Sequence, residues 1–301
     1  MNPELPSVPT WDPSRLLLWL GRIGLGLVVG GLVLYPLGMV FASTLLAGLW
    51  GDAPLQLEDL LTPRIATAWG NTLLLGILVT LLSIALALPL ALLALGSPWR
   101  RWIDVLMSIP FLTPPFLVSL AWTLAVGRRG YLSGLGLPGA AADRILFSLG
   151  GLTVLMALNY APMVYFALRA QLGSISSSLL WAAKVAGGSR WATVRQILVP
   201  LMMPGLWAGG FLAFASAVSE YGTPLVIGNR IGFPVVATEI ARQINVFPIN
   251  LTLASAMGSL LLLTSAGFYG LSRVLQKKSV LAPSRSHYAA PMLLSPAVRG
   301  L

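Results

Sequence analysis

Long apolar runs separated by short polar stretches organise the chain, at roughly 23–46, 70–95, 103–126, 145–168, 205–227 and 250–272. Each is about as long as the ~20 residues an α-helix needs to cross a bilayer. None alternates with the period of two that a membrane β-strand requires. The pattern predicts an all-α membrane protein of about six transmembrane helices. The first run is too long for the core of a signal peptide, and no small-residue cleavage site leads into a polar domain, so it reads as a retained helix. Residues 1–14 (MNPELPSVPTWDPS) are proline-rich and read as a disordered leader. Residues 15–275 form the membrane domain in this reading, and 276–301 a polar tail.

Composition sharpens the picture. Only 9% of the 301 residues are charged and 56% are hydrophobic, whereas a soluble domain carries about 25% charged residues. Lipid must be the solvent for much of the surface. The chain has no cysteine and a single histidine, His287, in the tail. That excludes disulfides, thiolate chemistry and a clustered metal or haem site, and no cofactor is expected. The formal charge of +10 would suit nucleic acid if it formed a patch, but the basic residues are scattered between apolar runs.

Their distribution sets the orientation instead. With the N-terminus inside, the inner loops hold thirteen Lys and Arg and the outer loops six, Arg64, Arg128, Arg129, Arg144, Arg230 and Arg242. The positive-inside bias predicts that both termini are cytoplasmic. Trp69, Trp99, Trp102 and Trp122 fall near helix ends and fit an aromatic belt.

Pro110, Pro114 and Pro115 lie inside the third run, and Pro89 and Pro162 inside the second and fourth. Proline frees carbonyls and kinks a membrane helix. These positions read equally as packing bends or as functional ones.

The longest inner loop joins the fourth and fifth runs. Ser176 to Ser178 offer an N-cap, Leu179 to Ala186 a short helix, and Gly187 with Gly188 a left-handed stop. Ser189 then caps a second helix, Arg190 to Leu198, which Pro200 should end. The result is a small-faced helix–turn–helix on the membrane surface. Ala182-Ala183, three residues, Gly187, nine residues, Ile197, two residues and Pro200 resemble the EAA loop of ABC importer permeases. WGNTLLLGILVTLLSIALALPLALL is similar to the opening Asn-Thr-Leu segment of that family. IPFLTPPFLVSLAW and SEYGTPLVIGNRIGFPVVATEI resemble the ferric-iron importer subgroup more particularly.

The resemblance implies a multi-pass permease subunit in a bacterial inner membrane. It implies a coupling helix that docks on a separate ABC ATPase, and an extracytoplasmic protein that delivers substrate. Such permeases commonly carry two halves in one chain. Here one half is present, resembling the first, so the resemblance implies a second half supplied by another copy, a sister chain or the rest of a split protein. Trp181 stands where the family has glutamate and Val199 where it has leucine. The tryptophan removes a charge that could pair with the ATPase but can fill a cleft.

Glu220 and Tyr221, placed near the outer end of the fifth helix, are read two ways. They line a translocation path, where carboxylate and phenol suit a hard cation such as Fe(III), or Glu220 caps and pairs structurally. Asn159 and Tyr160 in the fourth helix are candidates for the same path, with interhelical hydrogen bonding as the plainer role. No phosphate loop and no nucleophile elbow is present, so the chain should not itself be an enzyme, and ATP hydrolysis should belong to another subunit. The alternative is an ion-coupled secondary carrier, which calls for inverted repeats and intramembrane acids; no repeat is visible.

Overall fold

The structure, a computed structural model, describes residues 13–46, 56–95, 97–127, 130–134, 139–175, 179, 183, 185–187 and 189–277. Numbering helices of eight residues or more, α1 is Pro13–Leu45, α2 Pro63–Leu93, α3 Arg100–Leu112, α4 Pro115–Val126, α5 Gly139–Leu146, α6 Leu149–Gly173, α7 Val199–Ser219, α8 Val236–Asn245 and α9 Leu251–Lys277. Among the described residues five helices are long and apolar enough to span a membrane, or six if α3 and α4 count as one span.

The centre is α6, packed against α2 and α7. The α6–α7 contact depends on small residues. A Cβ on Gly209 would lie 2.7 Å from Val164 Cα, so glycine lets the two backbones approach and gain dispersion contacts that lipid cannot supply. α9 packs on α7 through the stacked rings of Phe214 and Phe268, 4.1 Å apart. α1 leans on α9, with the Thr44 and Ser259 hydroxyls 3.3 Å apart.

Two expected spans are corrected. The third is not one rod, because α3 and α4 meet at 94°. Thr113 is extended (φ −93°, ψ 125°), as a residue before proline prefers, and Pro114 and Pro115 follow it. At 1.5 Å per residue α3 and α4 are each only about 20 Å long, too short to cross alone. The fifth span starts and stops earlier than 205–227: an apolar helix runs from Trp191 to Ser219. Its end has a cause in the sequence. In a continued helix the ring of Pro224 would strike the carbonyl of Glu220, and Pro224 has no N–H to offer it. Glu220 turns extended (φ −68°, ψ 127°).

Pro200 does not end the helix before it, contrary to expectation. Val194–Leu198 widen into a π turn, with Val199 N–H bonded to Val194 O. The wider turn makes room for Pro200 in the first turn of α7, and the helix runs through. Pro89 and Pro162 likewise lie inside continuous helices.

Candidate functional site

Three elements meet half-way along α6. Tyr160, near the middle of that 25-residue helix, donates its hydroxyl proton to Glu220 Oε2. The other carboxylate oxygen accepts Thr223 N–H at 3.1 Å, capping the turn Pro224–Gly228. Thr223 Oγ1 lies 3.5 Å from Pro115 O, at the start of α4. The broken α3–α4 pair and the end of α7 therefore converge on one carboxylate. Sequence reasoning put Glu220 at the outer end of its helix. It does sit at a helix end, but that end lies at mid-length of α6, because α7 stops early.

Asn159 is 4% exposed. Its Nδ2 donates to Leu155 O within α6, not across helices as expected, and its Oδ1 has no partner among the described residues. Tyr221, the next residue, is exposed and makes no hydrogen bond to the Tyr160–Glu220 pair. It lines a cavity of about 720 Å³ with Arg64, Asn229, Glu239 and Arg242.

That cavity opens at the end of the bundle opposite the 174–189 loop. Glu239, on α8, is 2% exposed and is held between two arginines. Arg64 Nε and Arg242 Nε donate to its two oxygens at 2.8 Å each. Burial alone would raise the Glu239 pKa, but the hydrogen bonds and charges of Arg64 and Arg242 prevail and hold the carboxyl below the ordinary glutamate value. Nearby, Asn71 Nδ2 donates to Pro234 O and Thr72 Oγ1 accepts Val236 N–H, both at 2.8 Å. The Asn-Thr pair thus satisfies the backbone that enters α8.

At the loop end, Asp104 on α3 joins α6. It accepts the Tyr165 hydroxyl at 2.5 Å and lies 3.5 Å from Arg169 and 3.7 Å from Arg100. In the loop itself, Leu179, Ala183 and Val185 are helical. Gly187 takes φ +77°, the left-handed stop expected of it. Ser189 Oγ accepts Ala192 N–H at 3.2 Å, as expected of a cap. Ile197 lies in the π turn and Pro200 in the first turn of α7. Trp181 and Ala182 lie outside the described residues.

Sequence reasoning missed both carboxylate–arginine clusters. The spacing of Glu239 and Arg242, one turn apart on an amphipathic helix, was the available signal. Nothing in the sequence tied Arg64 to them.

A family described as "Binding-protein-dependent transport system inner membrane component" matches residues 80–280, most of the bundle. The chain belongs to that family. Its members are permease subunits of ABC importers, which removes the ion-coupled carrier from consideration, and they are not themselves enzymes. The permease is 30% identical to the ferric transport system permease protein FbpB of Actinobacillus pleuropneumoniae over 77% of its own length and 34% of that protein's. It is 29% identical to the molybdenum transport system permease protein ModB of Escherichia coli, over 44% of this chain and 58% of that one. The permease spans little more than a third of the length of the ferric-transport relatives it matches. A solved bacterial ABC transporter involved in the import of alginate shares its fold, with a TM-score of 0.68 at 15% identity over 88% of this chain and 96% of that one.

Proposed function

We propose that the permease forms half of the membrane pathway of an ATP-driven importer, carrying a substrate handed over by an extracytoplasmic binding protein. One observation carries the reading: a single helix joins the loop to the mid-depth joint. From Trp191 to Ser219 it runs unbroken for 29 residues, about 43 Å at 1.5 Å per residue. One end emerges from the Gly187 turn and the other delivers Glu220 to Tyr160. A push on the loop is thereby transmitted to the place where three elements converge.

In this reading the loop faces the cytoplasm, where Trp181, Ala182, Ala183, Gly187, Ile197 and Pro200 meet an ABC ATPase. Both termini lie on that side, and the 720 Å³ cavity faces the binding protein. ATP-driven closure of the motor shifts the bundle between two packings, opening the path alternately to each side. A second permease half, from another copy or a sister chain, completes the path. Ferric iron is the first candidate substrate. What favours it is chemical: the carboxylate and phenol at the joint suit a hard cation, while likeness in sequence reaches both ferric and 2-aminoethylphosphonate permeases, over 77% and 72% of this chain.

Gly187→Asp tests the coupling. Its side chain would strain the left-handed turn at φ +77° while meeting no atom within 4 Å, so the bundle should still insert. Expected are normal membrane levels with uptake and substrate-stimulated ATPase both lost. Wild-type uptake in that variant would refute the loop assignment.

A further inference from the structure

The cavity opposite the loop has an electrostatic character that the transport reading does not require. Arg64 and Arg242 share one carboxylate, Glu239, which is the acceptor they reach among the described residues. Because Glu239 stays ionised, the cluster carries two positive charges against one negative. Each guanidinium has five N–H groups, and Glu239 occupies only a minority of the combined set. Arg64 is more than half exposed and Arg242 more than a third, so their remaining donors are accessible from the cavity that both residues line.

The rest of the lining suits the same ligand. Tyr221, Asn229, Thr238 and Asn245 bring neutral hydrogen-bonding groups, while Phe233 and Val246 give apolar wall. A positive group set in apolar walls focuses its field into the opening. The volume, about 720 Å³, leaves room for a small solute together with its hydration water.

We propose that this cavity is a binding site for a small oxyanion, held by the outward donors of Arg64 and Arg242 while Glu239 fixes the two guanidinium planes. The anion is either free, as a tetrahedral oxyanion, or an oxygen ligand carried on a metal complex. Both present the same anionic oxygens to the arginine fork. The site does not depend on which way the bundle faces the membrane. The detergent-solubilised 301-residue chain can be tested without an ATPase, so failure here and failure of the importer reading are separable.

The experiment is a calorimetric titration of the purified permease with sulfate, and in a second arm with ferric citrate against iron-free citrate of equal concentration and ionic strength. Saturable sulfate binding is expected, weakened about tenfold by Arg242→Gln and unchanged by Arg230→Gln. Arg230 is engaged outside the cavity by Asp143 and by the Phe147 ring, 3.6 Å away. Stronger ferric citrate than sulfate binding, with the same Arg242 dependence, would assign the site to a metal-borne ligand; the reverse would assign it to the free ion. Thermal unfolding checks that each variant is folded. Absence of saturable binding in both arms overturns the proposal. So does equal weakening by Arg242→Gln and Arg230→Gln, which would reduce the effect to bulk charge.

Discussion

The two ends of the bundle solve the same problem differently. Each places one carboxylate between two arginines contributed by separate elements. Opposite the loop, Glu239 is 2% exposed and both arginines donate at 2.8 Å. At the loop end, Asp104 is 34% exposed, its arginines lie at 3.5 and 3.7 Å, and its short contact is with the Tyr165 hydroxyl. The first is a fixed clamp that ties α8 to the start of α2. The second is a loose joint between α6 and α3, a helix with no buried residue. A transporter that switches between packings needs one end that holds its geometry and one that can slide. The distances place the loose joint at the end where the loop lies.

Breaking the clamp should have the larger effect. Replacing Arg64 and Arg242 together by methionine strands a buried carboxylate and should cost about 3–5 kcal/mol of stability, read by thermal unfolding in detergent. Adding Glu239→Leu to that pair should restore much of the loss, since an apolar set of similar volume removes the stranded charge. At the loop end, Asp104→Asn should cost only about 1 kcal/mol, because the pair is partly solvated and the amide can still accept from Tyr165. Equal costs at the two ends would erase the distinction drawn from the distances.

The smallest effect is a pH dependence confined to the clamp. The folded-state pKa of Glu239 is depressed, so its stabilisation is full above the unfolded value of about 4.3. It is lost as pH falls from there through the folded value. The stability advantage of the wild type over Glu239→Gln should therefore be flat at neutral pH and shrink on acidification. An advantage that grew in acid would contradict the assignment of the charge.

What could be read from the sequence was local. Apolar runs of twenty or more residues can only be buried in lipid, so the spans were legible. The Gly187 stop and the Ser189 cap were legible because each acts within four residues. Breaks were half legible: Pro114 and Pro115 stood out, but not whether the chain would bend, widen or stop, and Pro224 lay inside the run read as 205–227. Pro200 shows why, since the π turn Val194–Leu198 lets the helix run through it, whereas at Pro224 no such widening precedes the ring and α7 ends at Ser219. Pairings across the chain were not legible. Arg64 and Glu239 stand 175 positions apart, and Tyr160 meets Glu220 only because α7 ends early. Such contacts depend on where helices terminate, and here one proline moves that point by about two turns.

The central claim, that the 174–189 loop receives force from a separate ATPase, can be tested directly because the chain has no native cysteine. Val185 is helical and 85% exposed, so Val185→Cys carries a unique thiol on the loop. With the ATPase subunit bearing cysteines along its permease-facing cleft, short bifunctional crosslinking in membranes should give a permease–ATPase adduct whose yield changes with ATP. A Val185→Cys thiol that forms no adduct and reacts instead with an impermeant reagent added outside intact cells would contradict the account.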